Sequence, residues 1–360
     1  MERRAWRGLA ALLLVGITGC SPASTPGQTP DIPDDALLDA SPADGDRGAG
    51  PDTSPPPPRL RVITFNTGTS LKPPDGEENR GYGPEQWAAC DTWYGNGLSW
   101  IPLVEDAAAW MDGAEPDIVA FQEIFWPGDC PGIPEEHHPG FVCEGWAPGD
   151  LTVAERVLGE EWQVACHPGK PDKCLGVNRR AGSLRGCAED FCLEGLEGFP
   201  VEDCGKGARI ARGVVDLTGS GVLTVVSVHG SSGFSVEDGD CRARQFEQIF
   251  VDLGDGEPAA NGEWNLILGD FNVDPVIMAG LDAGADVLNA HVGAGLPFGY
   301  VTEEGPSAPA TYAGYVRIDH VISDVFGGAC WHSGISAGHD PVTPATAFDH
   351  HPAVCDLVPR

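Results

Sequence analysis

WNLILGDFNVDP, which spans Trp264–Pro275, is a short apolar run that ends abruptly in a glycine, an acid and an amide. The apolar residues predict a buried strand, and Gly269 lets the backbone approach another group closely. Asp270 and Asn272 are two residues apart, so an extended segment presents both side chains on one face. A carboxylate can deprotonate water or hold a metal ion, and an amide can donate to an anionic oxygen. The segment therefore predicts a phosphate-binding site at the rim of a sheet.

The N-terminus, residues 1–20, has the pattern of a secretory signal. Three arginines precede an apolar stretch that runs from Leu9 to Ile17, far shorter than the ~20 apolar residues that span a bilayer. Residues 17–20, ITGC, resemble a bacterial lipoprotein box, which predicts cleavage before Cys20 and lipidation of its thiol. A plain secreted protein is the alternative. We expect a location in the bacterial cell envelope, anchored to the membrane by lipid and facing the periplasm or the outside.

Residues 21–58 are rich in Pro and Asp and contain almost no large apolar side chain. Such a segment cannot bury enough surface to fold, so we predict a disordered, extended linker. The folded part is then 59–360, which is a plausible size for one domain. We expect this domain to be a monomer.

The chain has 360 residues and a net charge of −33. Non-specific binding to nucleic acid or anionic lipid requires a basic surface, and this charge opposes it. A polyanionic substrate would therefore need metal ions or a local basic patch.

Twelve cysteines, eleven of them after Cys20, indicate an oxidising compartment. None forms a Cys-x-x-Cys pair, which argues against a zinc site and favours disulfides that link long loops. The pairing cannot be read from the sequence, and the odd number after Cys20 leaves at least one thiol unpaired.

The hydrophobic pattern predicts many strands and a few helices. Strands are expected at 60–66, 118–121, 162–165, 208–217, 222–228, 264–268, 315–322 and 353–357, and helices at 97–112, 153–158 and 241–253. Residues 166–207 are expected to be mainly irregular and rich in disulfides, with one or two strands running through them. This order favours an α/β (α+β) domain in which two sheets pack face to face with helices outside.

Polar groups stand at or near the ends of several predicted strands: Asn66, Glu123, His229, Asp270, Asn272, Asp319, Asp349 and His350. Each has a structural explanation when taken alone. Asn66 suits a turn, Glu123 a loop, and His229 the end of a strand. Taken together and in this order, the set predicts a catalytic site.

The ordered set resembles the endonuclease/exonuclease/phosphatase superfamily, which includes nucleases, neutral sphingomyelinases and inositol-polyphosphate phosphatases. The resemblance covers nearly the whole folded part. The matching segments are residues 64–66, 117–123, 226–229, 269–272, 317–320 and 349–352. It implies a four-layer sandwich with two mainly antiparallel sheets, and a site at one end of them. It also implies metal-dependent hydrolysis of a phosphoester, that is, a phosphodiesterase.

By this resemblance, Glu123 holds a Mg²⁺ ion with help from Asn66 and Asp349, and Mn²⁺ or Ca²⁺ are alternatives. The metal would neutralise charge on the phosphate oxygens. Such a metal-bound phosphate ester needs donors and a base nearby, which the remaining residues would supply.

The resemblance assigns the other roles as follows. His350 binds the phosphate or protonates it, and Asp319 fixes the tautomer of that imidazole. Asp270 orients or deprotonates the attacking water, and Asn272 donates to the phosphate. His229 contacts the phosphate or shares the proton transfer, and the division between Asp270 and His229 stays open.

The substrate is either nucleic acid or a phospholipid head group. Arg209 and Arg212 are candidates for contact with its phosphate, and exposed surface charges are the alternative explanation. A different class of function, a catalytically inactive surface-binding protein on the same fold, would predict loss of Glu123, Asp270 or His350. None of the three is lost.

Overall fold

A computed structural model describes residues 56–73, 80–305, 307–344 and 346–360. The predicted signal peptide, Cys20 and nearly all of the predicted linker lie outside the described residues. No helix in the described ranges is both long enough and apolar enough to cross a membrane.

Two sheets form the centre of the domain. The larger has seven strands in the order β12-β13-β1-β2-β4-β3-β6, and the smaller has six in the order β10-β11-β9-β8-β7-β5. The strands of the larger sheet are β1 (Leu60–Asn66), β2 (Ile118–Gln122), β3 (Trp162–His167), β4 (Lys170–Asn178), β6 (Phe191–Cys192), β12 (Phe326–His332) and β13 (Ala353–Pro359). Those of the smaller sheet are β5 (Gly182–Leu184), β7 (Ile210–Leu217), β8 (Val222–His229), β9 (Trp264–Asp270), β10 (Gly299–Tyr300) and β11 (Asp319–Ser323).

Most neighbouring strands are antiparallel. The parallel pairs are β1 with β2, β3 with β6, and β8 with β9. The predicted mainly antiparallel sandwich is therefore confirmed.

In the described ranges, five α-helices cover the outer faces of the two sheets. They are α1 (Pro84–Trp93), α2 (Ile101–Ala114), α3 (Val153–Leu158), α4 (Val236–Phe250) and α5 (Ala283–His291). Helices α1 to α3 pack with the outward side chains of the larger sheet, and α4 and α5 with those of the smaller. A third apolar core, which includes Val62 and Leu268, fills the space between the sheets. These are the four layers that the sequence predicted.

The largest differences from the sequence prediction lie where helical or strand periodicity is weak. Helix α1 buries only Cys90, so its sequence shows no clear apolar stripe. Helix α4 begins at Val236 rather than at Cys241, because the Ser235 hydroxyl accepts from the amide of Asp238 and caps the helix. The segment 166–207, where one or two strands were expected, contains three: β4, β5 and β6. Helix α5 and strand β12 were not predicted.

The described chain contains five disulfides, which confirms that the cysteines form disulfides; two of the five, Cys166–Cys174 and Cys330–Cys355, join paired residues of neighbouring strands instead of long loops. The five disulfides join Cys130 to Cys143, Cys166 to Cys174, Cys187 to Cys192, Cys204 to Cys241, and Cys330 to Cys355. Cys90 is the unpaired thiol among the described residues, and it is the buried residue of α1.

Candidate active site

Alternation along four strands brings polar side chains to one end of the inter-sheet core. Leu266 and Leu268 of β9 face that core, and Asp270 continues the same row. His229 continues the row of Leu223 and Val225 on β8 in the same way. The corresponding polar residues are Asn66 on β1, after Val62, and Asp319 on β11, before Val321. All four side chains are thus buried at the end of the layer between the sheets.

Strand register then sets which of these groups meet. Asp270 lies beside His229 on the parallel neighbour β8 and beside Asp319 on the antiparallel neighbour β11. Asn66 reaches Asp270 from the opposite sheet, and its Nδ2 donates to Asp270 Oδ2 at 3.0 Å. The site is therefore built across both sheets.

Amide donors hold the Asp270 carboxylate. The backbone N–H of Asn272 donates to Oδ1 at 2.7 Å, and Asn272 Nδ2 donates to Oδ2 at 3.0 Å. Burial raises the pKa of Asp270 to about 7, and the charge of Asp319 raises it while that of His350 lowers it. Asp270 is thus oriented by its neighbours and able to accept a proton near neutral pH.

His350 follows Asp349 just before β13 and forms a pair with Asp319. The distance from His350 Nδ1 to Asp319 Oδ2 is 2.9 Å, and His350 Nε2 lies 3.8 Å from Asp270 Oδ2. Burial lowers the pKa of His350, but the charges of Asp319 and Asp270 outweigh this and raise it to about 10. The imidazole therefore carries a proton on Nε2 and points it toward the Asp270 side of the site.

His229 contacts Glu123, with 3.3 Å between Nε2 and Oε1. Burial lowers the pKa of His229 to about 4, so the ring is neutral at pH 7 and the contact is a hydrogen bond from its N–H to the carboxylate. Burial raises the pKa of Glu123, but the hydrogen bond from His229 and the positive charge of His350 outweigh burial and lower the pKa to about 2. Glu123 is therefore ionised.

Two of the site residues have left-handed backbone conformations. Glu123 has φ of 57° and Asn272 has φ of 54°. Asparagine tolerates this region, but a glutamate there is strained, and such strain concentrates at functional sites. Gly97 packs directly against this turn: a Cβ at that position would lie 2.6 Å from the Glu123 carbonyl oxygen, so only glycine fits there. The turn directs Glu123 toward His229 instead of along the outer face of β2.

Three oxygens that could hold a metal ion surround Gly68. A Cβ on this glycine would lie 2.8 Å from Glu123 Oε2, 3.0 Å from Asp349 Oδ1 and 3.2 Å from Asn66 Oδ1. Asp349 Oδ1 is buried and has no hydrogen-bond partner among the described residues. Two carboxylates and an amide oxygen are ligands that suit Mg²⁺, which keeps several waters and takes few protein ligands. No group of three or more His, Cys, Asp or Glu side chains in the described ranges is placed to hold a metal. The candidate ligands are this mixed set.

We expect Gly68→Ala to weaken Mg²⁺ binding, because the new methyl group would occupy the space between the three oxygens. Disturbing groups that orient metal ligands typically costs ~10–100-fold in affinity. The measurement is the rise in melting temperature with added MgCl₂, which does not depend on turnover. Gly113→Ala is the matched control, since a Cβ on Gly113 of α2 would meet no atom within 4 Å. Equal Mg²⁺ titrations for both variants would contradict this placement of the metal.

The two arginines that were predicted to contact the substrate, Arg209 and Arg212, lie in different surroundings. Arg212 is nearly buried on the helix-facing side of β7, and its guanidinium donates to Glu197 and Asp255 at 2.6 Å each. Two ion pairs engage its guanidinium on that face, and contact between Arg212 and the substrate stays a prediction. Arg209 lies beside His229, whose backbone N–H donates to its carbonyl at 2.9 Å.

Sequence reasoning missed several residues around the site. Ser70 donates its hydroxyl to Asp349 Oδ2, and the Tyr312 ring packs on His350 with 4.8 Å between centroids. The TGTS run after Asn66 was a usable signal for Ser70, whereas nothing local marks Tyr312. Phe348, before Asp349, packs edge-on against Phe65 at 5.1 Å between centroids and supports the strand end.

Open space flanks the cluster on both sides. A cavity of about 440 Å³ borders Asp349 and His350, and another of about 320 Å³ borders Glu123. The site is therefore accessible to a ligand.

No protein-family model matches the sequence, and no curated protein matches it. Solved structures match over most of the chain. An endonuclease/exonuclease/phosphatase from Beutenbergia cavernae is 18% identical, with 83% of this chain and 71% of that chain covered and a TM-score of 0.50. A functionally unknown conserved protein from Enterococcus faecalis is 10% identical, with 84% and 100% covered and a TM-score of 0.48. The human Nocturnin catalytic domain with bound sulfate is 14% identical, with 84% and 94% covered and a TM-score of 0.48.

This chain has the endonuclease/exonuclease/phosphatase fold. The likeness to the Beutenbergia protein and the four-layer order of sheets and helices agree on this point. The resemblance inferred from the sequence is confirmed at the level of fold, and fold alone does not assign an activity.

Proposed function

We propose that this protein is a metal-assisted phosphodiesterase. The observation that carries the proposal is the convergence of Asp270, His350 and Glu123 with their partners at one end of the inter-sheet core. This arrangement combines a proton acceptor, a protonated imidazole and a set of metal-compatible oxygens. Those are the groups that hydrolysis of a phosphoester requires.

Asp270 is the candidate general base. Its raised pKa of about 7 lies near the operating pH, which favours proton transfer from an attacking water. Asn66 and Asn272 hold the carboxylate in one orientation. His229 is less suited to this role because its Nε2 is engaged with Glu123. The geometry therefore supports Asp270 as the base and His229 as a neutral donor that orients Glu123.

His350 is the candidate donor to the phosphate. Its Nδ1 is bound by Asp319, so the proton on Nε2 is available to an anionic oxygen. Its positive charge would stabilise charge that develops on the phosphate in the transition state. Asn272 Nδ2 donates to Asp270 Oδ2 at 3.0 Å and to the Gly230 carbonyl at 3.1 Å, so both of its protons are engaged and its part in the site is to orient Asp270.

Asn66, Glu123 and Asp349 would hold the metal ion. A bound divalent cation, Mg²⁺ or one of its alternatives Mn²⁺ and Ca²⁺, would supply charge neutralisation at the non-bridging and leaving oxygens. Ser70 and His229 orient two of these carboxylates.

The proposal is tested with a panel of substrates, each assayed with Mg²⁺ and with EDTA. The panel comprises bis(p-nitrophenyl) phosphate, single-stranded DNA, RNA, and vesicles that contain sphingomyelin. We expect turnover of the p-nitrophenyl diester and of one natural class, and loss of turnover with EDTA. Absence of metal-dependent turnover on every substrate would overturn the proposal and favour a non-catalytic binding protein.

We also propose that the enzyme acts in the bacterial cell envelope, outside the cytoplasm, as a lipid-anchored protein. The five disulfides support an oxidising compartment, and residues 17–20 supply the candidate anchor. We expect Cys20→Ser to move the protein from the membrane fraction to the soluble fraction. Retention of the variant in membranes would count against the anchor.

A further inference from the structure

The lysines of this acidic chain are concentrated near the candidate site. The sequence contains four lysines, and three of them, Lys170, Lys173 and Lys206, lie with Arg209 in two adjoining segments. A Cβ on Gly207 would lie 2.9 Å from Lys170 Cβ, so the two segments are in direct contact. In a chain of net charge −33, such a concentration of positive charge is a specific local feature.

The buried Lys173 holds the two segments together. Its Nζ donates to the backbone carbonyls of Ala208, at 3.0 Å, and Arg209. The backbone carbonyl of Arg209 also accepts from the N–H of His229 at 2.9 Å. The basic segment is therefore fixed beside the end of β8, where His229 lies. Lys173 is therefore a positioning residue for this segment.

The cavity of about 320 Å³ that borders Glu123 connects the basic segment to the site. Its lining includes Lys170 and Lys206, together with the indole rings of Trp93 and Trp126. Trp93 is partly exposed, and Trp126 is half-buried against Phe191 with 5.8 Å between ring centroids. Positive charge combined with aromatic faces is the pattern of single-stranded nucleic-acid sites, where bases stack and lysines contact phosphates.

Lys206 lines this cavity, and Arg209 lies next to it in the same segment: a Cβ on Gly205 would lie 3.6 Å from Arg209 Nη2. Two acids, Asp129 and Asp172, also line the cavity, and Lys170 is paired with Asp172 at 2.5 Å. Within the part of the chain that the structure describes, no ion pair engages Lys206 or Arg209. The Nε atom of Arg209 is buried and has no hydrogen-bond partner there. Lys206 is exposed.

We propose that Lys206 and Arg209 form a second phosphate subsite, which binds the phosphate next to the one being hydrolysed. The aromatic walls of the cavity that Lys206 lines then receive a base, so the substrate is a single-stranded nucleic acid. A phospholipid such as sphingomyelin carries one phosphate and would leave this subsite empty. This inference rests on the proposed phosphodiesterase function and chooses between its two substrate classes.

Exposed apolar side chains follow two of the strands that end at the site. The loops that follow β8 and β9 expose Phe234 at 70%, Ile277 at 60% and Leu281 at 73%. These side chains carry no charge that would select a phosphate. A lipid substrate would contact these apolar side chains, and its turnover would not depend on Lys206. Substitution of Lys206 therefore distinguishes the two substrate classes.

The test compares kcat/KM for thymidine oligonucleotides with one phosphodiester and with two or more. We expect the additional phosphate to raise kcat/KM about tenfold in the wild type, as for one charge-assisted contact. Lys206→Ala should reduce that gain and leave turnover of bis(p-nitrophenyl) phosphate unaffected, and Lys206→Arg should retain the gain. Arg209→Ala should also reduce the gain from the second phosphate. Each lost contact should also reduce the slope of log(kcat/KM) against log[salt] by about 0.7. Arg185→Ala is the control, since Arg185 is exposed and paired with Asp216.

The outcomes separate this inference from the proposed function. No hydrolysis of bis(p-nitrophenyl) phosphate means that the phosphodiesterase proposal itself fails. Hydrolysis without a gain from the second phosphate, or equal losses on all substrates in Lys206→Ala, would overturn the subsite alone. Efficient turnover of sphingomyelin vesicles that is unchanged in Lys206→Ala would overturn the choice of nucleic acid.

Discussion

Replacing Asp270 by asparagine is expected to lower kcat by at least ~100-fold, the scale of losing a general base. The substitution removes the only proton-accepting oxygen pair that Asn66 and Asn272 orient within the cluster. The hydrogen bonds to both oxygens of Asp270 are donated to it, so the NH2 group of asparagine would face a donor at one of the two positions. Some loss of stability should therefore accompany the loss of turnover. The measurement is steady-state turnover of bis(p-nitrophenyl) phosphate at saturating Mg²⁺, with a melting curve of the same sample.

Asp112→Asn is the matched control for this change. Asp112 is exposed on α2, in the layer outside the larger sheet, and its replacement should change neither turnover nor melting. Turnover of Asp270→Asn within a few-fold of the wild type would show that the base has been assigned to the wrong residue. In that case His229 would be the group to test.

The second large effect is expected for His350→Ala. This change removes the proton that Nε2 presents toward the site, and it leaves the Asp319 carboxylate buried without its partner at 2.9 Å. Losing both the donor and its positive charge should lower kcat by at least ~100-fold. Some loss of stability should accompany it, because an uncompensated buried charge is unfavourable.

The adjacent histidine provides a control of the same chemistry. His351 directs its Nδ1 to the carbonyl of Ser333 at 2.9 Å, away from Asp270 and Asp319. We expect His351→Ala to affect stability more than turnover. Similar losses of kcat in the two variants would contradict a specific role for His350. An unchanged kcat in His350→Ala would show that His350 takes no part in catalysis.

Much of the site could be predicted from the sequence because it depends on the ends of strands. The run before Asp270 and the run before His229 are short, apolar and interrupted by a polar group at the last position. Period-two alternation then places these polar groups in the row of the inward-facing residues. Asn66 and Asp319 follow the same logic on β1 and β11.

Other features could not be predicted, for reasons of geometry. Glu123 leaves β2 in a left-handed turn, so alternation alone would direct it to the outer helices. The role of Gly68 follows from three side chains that are far apart in sequence. Arg212 was expected to contact phosphate, and in the structure its guanidinium forms ion pairs with Glu197 and Asp255. These partners come from other loops, so no local sequence pattern predicts them.

The sequence by itself determined the fold class, the excess of cysteines that become disulfides, and the candidate catalytic groups with their order along the chain. These depend on local periodicity and on residue chemistry, which a single segment carries. Only the tertiary structure decided which groups meet: Asn66 with Asp270 across the two sheets, Asp319 with His350, and the lysine segments with the edge of the site. Such contacts depend on strand register and sheet packing between segments that are distant in sequence. Their free energy is shared among many residues, and no single segment encodes it.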